Sequence, residues 1–458
     1  MFCGKFFEKN LPSTRCEGVK PPYFGKMRCG SSWGLVFYKR PLQWVLWRLG
    51  CSPQKRLRTQ RAKGACCRKF CVKHPRPHNI IVKIKILCYN KFMRVTQISV
   101  NNYRNLARQT VEPSGGLNIF VGDNAQGKTN LVESVYLCCI GKSPRTDKDR
   151  DLICWGKDRA LVKVSYNCRF GEGVIEVALN SGAKKQIAVN SVPIAKIGEL
   201  MGYLNCIYFS PNEIKIISQS PSERRRFLDI DLCQTDKNYF YSLTRFNKAL
   251  QQRNNVLKQA RSIEDARDVI FAWDKQIAEE GARVIAKRKS FCDKLKVYAK
   301  QSHATLTDGV EALELEYITQ INGLGVEKIA ENYLQQLQNN LEKDFQLRHT
   351  SVGCQRDDVA LKINGTDVRS FGSQGQLRTT ALSLKLAELQ IFKNLIGEYP
   401  VLILDDVLSE LDVDRQRRLL NFDAELQILL TSATEISHDL TDTACKFFTV
   451  KNGVCTQK

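Results

Sequence analysis

Several common sequence features are missing from this chain of 458 residues. No apolar run approaches the roughly eighteen residues that a membrane-spanning helix needs. No two cysteines form a C-x-x-C pair, which is the usual anchor of a structural zinc site. The N-K-x-D motif that recognises guanine in GTP-binding switches is also absent. These absences argue against a membrane-spanning protein, a zinc module and a guanine-specific switch, and we expect no membrane partner.

Acidic residues are nearly missing from the first part of the chain. Residues 1–92 contain 21 Lys and Arg but only Glu8 and Glu17, and so carry 19 of the 23 net positive charges. They hold 8 of the 18 cysteines, show no helical or strand periodicity, and lack the apolar core of a secretory signal. This segment could be a basic nucleic-acid-binding arm, a cysteine-rich metal module, or upstream sequence that is not natively translated. We favour a non-native or disordered extension, because a strand-like pattern begins directly at Met93.

This distribution of charge limits what the basic composition can mean. Because the excess lies almost entirely in residues 1–92, the net charge of the chain is not a sign of DNA binding. The ten cysteines after Met93 are scattered, apart from the neighbours Cys138 and Cys139. Such a pattern is typical of reduced, mostly buried thiols in a cytoplasmic protein.

A phosphate-binding pattern organises the remainder of the chain. Residues 122–129 read G-x-x-x-x-G-K-T, with a strand-like segment at 117–121 before them and Leu131 and Val135 at helical spacing after them. Glycines let the backbone approach a phosphate, the helix N-terminus directs N–H groups at it, the lysine adds charge, and the threonine hydroxyl can bind Mg²⁺. A strand-to-helix turn with an exposed lysine is the simpler alternative, but the strand–loop–helix context favours a nucleotide site. The predicted nucleotide-binding residues of this loop are Gly122, Asp123, Asn124, Ala125, Gln126, Gly127, Lys128 and Thr129.

An acidic pair near the end of the chain would complete a magnesium site. Residues 401–404 are four apolar residues, and Asp405 and Asp406 follow them. A buried parallel strand delivers such acids to the edge of a sheet. We predict that Asp405 holds Mg²⁺ together with Thr129, and that Asp406 acts with Lys128 in catalysis by orienting or deprotonating the attacking water. Two solvated acids at a strand end are the simpler alternative, which the P-loop upstream disfavours.

A second glycine-rich loop opens a long amphipathic helix. Ser373, Gln374, Gly375 and Gln376 combine a hydroxyl, backbone amides and a helix N-terminus, which together can bind an anion. A glycine-rich helix cap is the simpler alternative. One P-loop is sufficient for the phosphates of one nucleotide, so we predict that the second loop meets the nucleotide of another copy. This geometry implies an ATP-dependent homodimer with two shared sites.

The periodicity of the chain predicts an α/β fold interrupted by helices. Segments 160–168, 173–179 and 185–190 alternate like the strands of a small antiparallel sheet. A capped helix start at Ser220 opens a helical region with two long antiparallel helices and a third near 327–345. We predict a P-loop ATPase lobe with a mixed sheet and flanking antiparallel strands, formed by residues 93–219 and 346–458, with an inserted α-helical lobe at 220–345.

The order of these motifs resembles the ABC-type ATPases of the SMC-like branch, and more narrowly the RecF family of bacterial DNA replication and repair proteins. The resemblance covers the chain from Met93 to its end. The segments that carry it are residues 102–105, 122–130, 220–229, 356–358, 372–376 and 404–412.

The resemblance implies specific roles and partners. It implies binding of ATP and Mg²⁺, slow hydrolysis used as a switch, Ser373 to Gly375 as a signature presented to a second protomer, Asp412 in a D-loop, and a switch position within residues 431–434. It also implies an ATP-controlled cytoplasmic clamp on DNA at single-strand gaps and junctions with duplex. Such a clamp would help load RecA together with RecR and RecO, in replication, recombinational repair and the SOS response.

The chain departs from the family pattern, and three other functions remain to be weighed. No histidine lies within residues 431–434, and Cys354 and Gln355 stand where the family has Pro-His.

An ABC transporter subunit would share the motifs but usually has a switch histidine and a shorter helical part. A GTP-binding switch would need N-K-x-D, and a sibling SMC-like ATPase would need a longer coiled coil. We consider Arg224, Arg225 and Arg226 as DNA contacts, with internal pairing at the helix start as the alternative.

Overall fold

The computed structural model describes residues 92–434, 440 and 445–458. These residues belong to one structural unit of the chain. The predictions made for the basic extension lie outside the described residues, apart from Phe92. The division of the chain at residues 93, 220 and 346 stays a prediction.

The strands of the described residues lie mainly in three sheets. In chain order they are β1 (Arg94–Tyr103), β2 (Leu106–Val111), β3 (Leu117–Val121), β4 (Arg159–Cys168), β5 (Gly171–Asn180), β6 (Ala183–Val189), β7 (Val192–Ile194), β8 (Cys206–Phe209), β9 (Leu313–Ile318), β10 (Asp358–Ile363), β11 (Thr366–Asp367), β12 (Val401–Asp405), β13 (Ile428–Ser432), β14 (Cys445–Lys451) and β15 (Val454–Gln457).

The α-helices of the same residues vary from one turn to 44 residues in length. They are α1 (Lys128–Ile140), α2 (Ile197–Leu200), α3 (Ile214–Ser218), α4 (Pro221–Thr235), α5 (Lys237–Gln259), α6 (Ile263–Leu306), α7 (Gly325–Asn339), α8 (Leu341–Leu347), α9 (Val368–Phe371), α10 (Gln374–Ile396) and α11 (Val413–Leu420). Short 3₁₀ helices occur at Asp149–Leu152, Pro211–Glu213, Cys354–Arg356 and Leu408–Glu410. None of these helices is long and apolar enough to cross a membrane.

The central sheet has the order β15-β14-β3-β13-β12-β8, and all of its neighbours are parallel except β14 and β15. Its strands come from both ends of the chain. Neighbouring residues of one strand face different cores: Ile119 packs into one buried cluster and Phe120 into the other. Because both faces are covered, the strands read as continuous apolar runs. The sheet places the ends of β3, β13 and β12 side by side, which is where the P-loop and the acidic pair follow.

The predicted antiparallel sheet is confirmed. β4, β5 and β6 match the three predicted segments and belong to a six-stranded sheet of order β2-β1-β4-β5-β6-β7. The inward side chains of β4, such as Val162 and Val164, share a core with Val132 and Val135 of α1. This sheet therefore packs against one side of the P-loop helix.

The predicted pair of long helices is also confirmed. Arg245 of α5 pairs with Glu280 of α6, and Arg253 pairs with Asp274, so the helices run antiparallel. The predicted third helix is two helices, α7 and α8, which meet at Asn340. The segment 220–345 also contains a strand that the helical periodicity does not predict, because β9 pairs with β10 in a small three-stranded sheet.

The predicted helix start at Ser220 is correct, but the predicted side-chain cap is wrong. α4 begins at Pro221, and Ser220 occupies the N-cap position without capping a backbone amide. Its hydroxyl lies 2.6 Å from Oγ of Ser222. The Glu223 N–H instead donates to the Ser220 carbonyl at 3.1 Å. A neighbouring hydroxyl has replaced the expected capping box, while the proline still fixes the helix start.

Candidate nucleotide-binding site

The P-loop joins β3 to α1 with a backbone that glycine makes feasible. Gly127 is the N-cap of α1 with φ 112°, and Ala125 also has a positive φ of 64°. A Cβ on Gly122 would lie 2.1 Å from the Val450 carbonyl oxygen. No side chain caps this helix start. Its first N–H groups are therefore left for a ligand, as anion binding at a helix N-terminus requires.

Neighbouring segments hold the loop in place. The Asn105 amide donates to the Ala125 carbonyl at 3.3 Å, and Asn130 donates to Asn105 Oδ1 at 2.7 Å. On the other side, the Asn452 N–H donates to Gln126 Oε1 at 2.5 Å, and the Gly453 N–H to the Gln126 carbonyl at 3.0 Å. Gln126 therefore anchors the loop to the β14–β15 turn through its side chain and its carbonyl. Nothing in the spacing of the motif indicates this anchoring.

Lys128 lies against the loop with its side chain largely buried. Its Nζ donates to the carbonyls of Gly122 and Asp123, the latter at 2.8 Å. Burial lowers the pKa of Lys128, and the nearby carboxylates of Asp406 and Asp405 oppose this effect. A poorly hydrated cation beside an anion-binding loop is well placed to bind phosphate oxygens.

Asp405 ends β12 among three hydroxyl donors. Thr129 Oγ1 donates to its Oδ1 at 2.7 Å, Thr431 Oγ1 donates to the same oxygen at 2.8 Å, and the Tyr208 hydroxyl donates to Oδ2 at 2.6 Å. The predicted magnesium residues Thr129 and Asp405 are thus in direct contact, although 276 residues separate them in the chain. Burial and the Asp405 carboxylate raise the pKa of Tyr208, so its hydroxyl stays a donor.

These residues fit the Mg²⁺ of a P-loop ATPase. In the described part of the chain, no cluster of three or more His, Cys, Asp or Glu could hold a metal by itself. Mg²⁺ in nucleotide sites usually takes only one or two protein oxygens and completes its shell with phosphate and water. A hydroxyl and a carboxylate oxygen 2.7 Å apart meet that requirement.

Asp406 differs from Asp405 in its backbone. Its φ of 57° lies in the left-handed region, which aspartate tolerates better than most residues. The Asp406 N–H donates to Thr431 Oγ1 at 3.0 Å, which fixes this turn. The backbone changes direction between the two acids. Asp405 therefore pairs with Thr129 at the end of the strand, whereas Asp406 lies in the turn that follows.

The predicted signature residues lie at the N-terminus of α10 and form a full capping box. Ser373 Oγ accepts from the Gln376 N–H at 3.2 Å, and Gln376 Oε1 accepts from the Ser373 N–H at 2.9 Å. Ser373, Gln374 and Gly375 are exposed. No hydrogen bond between described residues joins this loop to the P-loop of the same chain. The structure therefore brings the P-loop and the acidic pair together, and leaves the signature loop on an open surface.

Two further predicted positions have defined places. Asp412 is the N-cap of α11 and accepts from the Arg415 N–H at 2.9 Å. Thr431, the first residue of the predicted switch segment, is a partner of Asp405. Residues 435–439, which follow this segment, lie outside the described residues.

Sequence reasoning missed a buried charge cluster behind the P-loop helix. Glu133 is fully buried and accepts from Arg104, Arg145 and Ser143. Burial raises the pKa of Glu133, but hydrogen bonds from Arg104 and Arg145 outweigh this effect and bring the pKa below its usual value. The cluster ties α1 to the turn after β1 and to the loop that follows α1. Among the patterns in the sequence, only the family motif at residues 102–105 includes a member of this cluster, Arg104.

The structure decides between the alternatives for two basic residues of α4. Arg224 is 4% exposed and pairs with Asp358 at 2.6 Å, and Arg225 Nη1 donates to the Asp357 carbonyl at 2.7 Å. Both therefore pair internally, as the alternative to DNA contact predicts. The side chain of Arg226 is exposed.

The departure from the family pattern at Cys354 lies in the same region. Cys354 is buried, and its carbonyl accepts from Arg288 at 2.8 Å. Gln355 lies beside it, where its Oε1 accepts from the Tyr333 hydroxyl at 3.3 Å. Both residues contribute to the packing of this region against α6 and α7.

Comparison with known proteins gives consistent matches. A family model described as an AAA domain matches residues 97–418. The DNA replication and repair protein RecF of Clostridium novyi (strain NT) is 41% identical over 366 residues, which cover 80% of this chain and 100% of the relative. RecF of Alkaliphilus oremlandii (strain OhILAs) is 44% identical over 343 residues, covering 74% and 93%.

Solved structures agree with these sequence matches. The recombination mediator protein RecF of the RecFOR pathway, in its RecF-ATPrS structure, is 34% identical and superposes with a TM-score of 0.74. The match covers 80% of this chain and 98% of that one, and the RecF-ATP structure gives the same values. Together with the P-loop, the acidic pair and the signature helix, these matches show that the chain belongs to the RecF family of DNA replication and repair proteins.

Proposed function

We propose that this chain is an ATP-dependent clamp on DNA whose slow ATP hydrolysis acts as a switch. The observation that carries the proposal is the direct contact between the Thr129 hydroxyl and the Asp405 carboxylate beside the buried Lys128. Membership of the RecF family supports a place for this activity in DNA replication and repair. The RecF-ATP structure of a relative supports ATP as the nucleotide.

Each residue of the site has a distinct part. The backbone N–H groups at the start of α1 and the Lys128 ammonium would bind the phosphates, because no side chain caps this helix start. Thr129 and Asp405 would hold Mg²⁺, which when bound neutralises developing charge on the phosphate oxygens. Tyr208 and Thr431 keep the Asp405 carboxylate oriented through their hydroxyls.

Asp406 is proposed to orient or deprotonate the attacking water. Its left-handed backbone turns it out of the strand, and the bond from its N–H to Thr431 holds that turn. A strained or unusual backbone held by its surroundings is common at residues that do chemistry. Lys128 assists by stabilising charge on the transferred group.

Two copies of the chain are proposed to share each nucleotide. The signature loop offers an exposed helix N-terminus, a hydroxyl and an open Gly375, yet it has no hydrogen bond to the P-loop of its own chain among the described residues. A two-fold dimer would pair each signature with the P-loop of the partner. ATP would then act as a ligand that stabilises association.

The proposed substrates and partners of the clamp follow from the family. DNA with single-strand gaps or junctions would be the target, and the RecFOR pathway named for a relative supports RecO and RecR as partners that help load RecA. Described cysteines such as Cys138, Cys139 and Cys206 are buried free thiols, which supports the reducing cytoplasm as the location. Arg226 is the remaining candidate for a phosphate contact on α4.

Two substitutions separate binding from hydrolysis. Lys128→Met removes a charge-assisted contact and should weaken ATP binding by about 1.5–3 kcal/mol, roughly tenfold to 150-fold in Kd. Asp406→Asn should keep the affinity for ATP, slow phosphate release strongly and prolong the ATP-bound dimer. A fluorescent ATP analogue and a phosphate-release assay measure the two effects, with Lys184→Met on the exposed edge of β6 as the matched control. Equal losses of ATP affinity in both variants would contradict the assigned roles.

Mixing two inactive variants tests the shared site. Lys128→Met removes the P-loop function and Ser373→Arg removes the signature. A mixed dimer rebuilds one intact site from the P-loop of one chain and the signature of the other, so hydrolysis should partly return. If each chain served its own nucleotide with both loops, every site would keep a defect and mixing would restore nothing.

A further inference from the structure

A buried histidine lies directly behind the signature helix. His303, in the last turn of α6, is fully buried. Its ring Nδ1 lies 2.9 Å from Oγ of Ser383 on α10, and its Nε2 lies 3.1 Å from Oε2 of Glu311. Glu311 follows α6 in the loop that leads to β9. The histidine therefore connects three elements at one point.

The second carboxylate oxygen of Glu311 reaches the signature loop itself. Gln376 Nε2 donates to Glu311 Oε1 at 2.8 Å. The other end of the same amide, Oε1, accepts from the Ser373 N–H in the capping box. Glu311 thus decides which way the Gln376 amide faces, because only the N–H₂ end can donate to a carboxylate. The amide orientation in turn fixes the backbone of Ser373.

Ser383 extends this chain of bonds along α10. The Ser383 hydroxyl lies 2.7 Å from the Thr379 carbonyl, to which it donates its only proton. With that bond made, His303 Nδ1 donates to Ser383 Oγ, and Nε2 pairs with Glu311 Oε2. The other tautomer, in which Ser383 donates to Nδ1 and Nε2 donates to Glu311, joins the same groups, so the distances fix the partners of the ring and not its proton positions.

The charges that face the ring are few and opposed. Burial lowers the pKa of His303, the Glu311 carboxylate opposes this effect, and Arg415 of α11 adds to the lowering. Glu311, Gln376 and Arg415 also line one surface depression with Ser373 and Gly375. The network consequently borders the face that the signature presents.

We propose that Glu311 and His303 are positioning residues for ATP hydrolysis, which hold the Gln376 amide and thereby aim the Ser373 end of α10 at the nucleotide of the partner chain. This inference rests on the proposed sharing of each site between two copies. Neither residue belongs to the P-loop or the acidic pair of its own chain. Their loss should therefore damage the signature half of a site and spare the nucleotide-binding half.

Substitutions at Glu311 distinguish positioning from general stability. Glu311→Ala should lower kcat by about tenfold or more, while the Kd for ATP stays unchanged. Glu311→Gln should retain most of the activity, because its amide oxygen can accept from Gln376 and its N–H₂ can donate to His303 Nε2. Glu314→Ala, on the exposed side of β9, is the matched control. A thermal melt checks that each variant is folded, and Glu311→Asp, too short to reach both partners, replaces Glu311→Ala if the latter does not fold.

Mixing experiments give the decisive readout. Lys128→Met mixed with Glu311→Ala should regain hydrolysis, since one intact P-loop meets one intact signature. Glu311→Ala mixed with Ser373→Arg should regain nothing, because both defects lie on the signature side. If Lys128→Met with Ser373→Arg regains activity but Lys128→Met with Glu311→Ala does not, the positioning role is wrong and the shared site stands. If Lys128→Met with Ser373→Arg regains nothing, the shared site fails and the positioning role fails with it.

Discussion

Arg253 offers the sharpest test of how the helical segment is held together. It is the largest fully buried side chain among the described residues. Its guanidinium donates to Asp274 at 2.5 Å, to Asp344 at 2.7 Å and to Thr350 at 2.9 Å. The change Arg253→Met keeps much of the apolar volume and removes the charge. It leaves two nearly inaccessible carboxylates without a cation.

The expected loss of stability follows from this burial. Removing one partner of a buried ion pair typically costs about 3–5 kcal/mol, because the remaining charge stays desolvated. The matched change Arg245→Met affects a side chain that is 48% exposed and pairs with Glu280, so it should cost about 0–1 kcal/mol. The two arginines lie on the same helix and both pair with α6, but only Arg253 is buried and also bonds to Asp344 and Thr350.

The loss should also depend on pH in a defined direction. Burial raises the pKa of Asp274, Arg253 opposes this, and Asp344 adds to the increase. A carboxyl whose folded-state pKa is raised contributes stability below its unfolded pKa and loses it as pH rises through the folded value. Without Arg253 the folded-state pKa of Asp274 rises further, so stability continues to be lost up to a higher pH. The free energy of unfolding that Arg253→Met removes should therefore be small near pH 4 and reach its full value at pH 7.5.

Urea unfolding followed by circular dichroism at both pH values measures the effect. With m of about 3 kcal/mol per molar urea, the midpoint at pH 7.5 should fall by about 1 M or more. A shift equal to that of Arg245→Met, or one that does not change between the acidic and the neutral buffer, would refute the claim that burial of these charges dominates.

Three further changes test other parts of the molecule. Gly122→Ala should displace the P-loop and weaken ATP-analogue binding, because its Cβ would meet the Val450 carbonyl at 2.1 Å, whereas Gly182→Ala has nothing within 4 Å and should bind normally. Arg226→Glu should lower DNA affinity and reduce the slope of log K against log salt by about one unit for each phosphate that Arg226 neutralises, and an unchanged slope would remove Arg226 from the DNA site. A chain of residues 93–458 should keep nucleotide and DNA binding, and a folded chain without DNA affinity would show that residues 1–92 are a basic DNA-binding arm.

Local patterns predicted the parts of the site that single elements determine. The loop at residues 122–129 needs its glycines for backbone reasons, and Asp405 needs only a buried strand before it. Both signals are contained within short runs of neighbouring residues. The helix start at residues 373–376 is similar, because one short loop determines it. These features follow from spacing and residue type alone.

Features that depend on long-range contacts could not be predicted in this way. In the sequence Glu133 is indistinguishable from an exposed helical glutamate. Its pairing with Arg104 and Arg145 depends on the folded positions of other segments. In the sequence Arg224 and Arg225 form a basic run typical of a surface. In the fold they contact Asp357 and Asp358, which lie more than a hundred residues away in the chain. The missed strand β9 is a different case: its alternating leucines are visible in the sequence, but the surrounding helical periodicity masks them.

An ion pair joins α10, which begins at the predicted signature, to the segment after the strand that supplies Tyr208. Lys385 of α10 pairs with Glu388 at 3.1 Å and with Glu213 at 3.5 Å, and Glu213 follows the strand that supplies Tyr208. Tyr208 in turn bonds to Asp405. Sliding α10 relative to this strand would separate the Lys385 ammonium from Glu213, whose side chain is 23% exposed, while Lys385 and Glu388 would move together. ATP-dependent change should therefore occur mainly in how copies associate, because movement within one chain would have to break these contacts first.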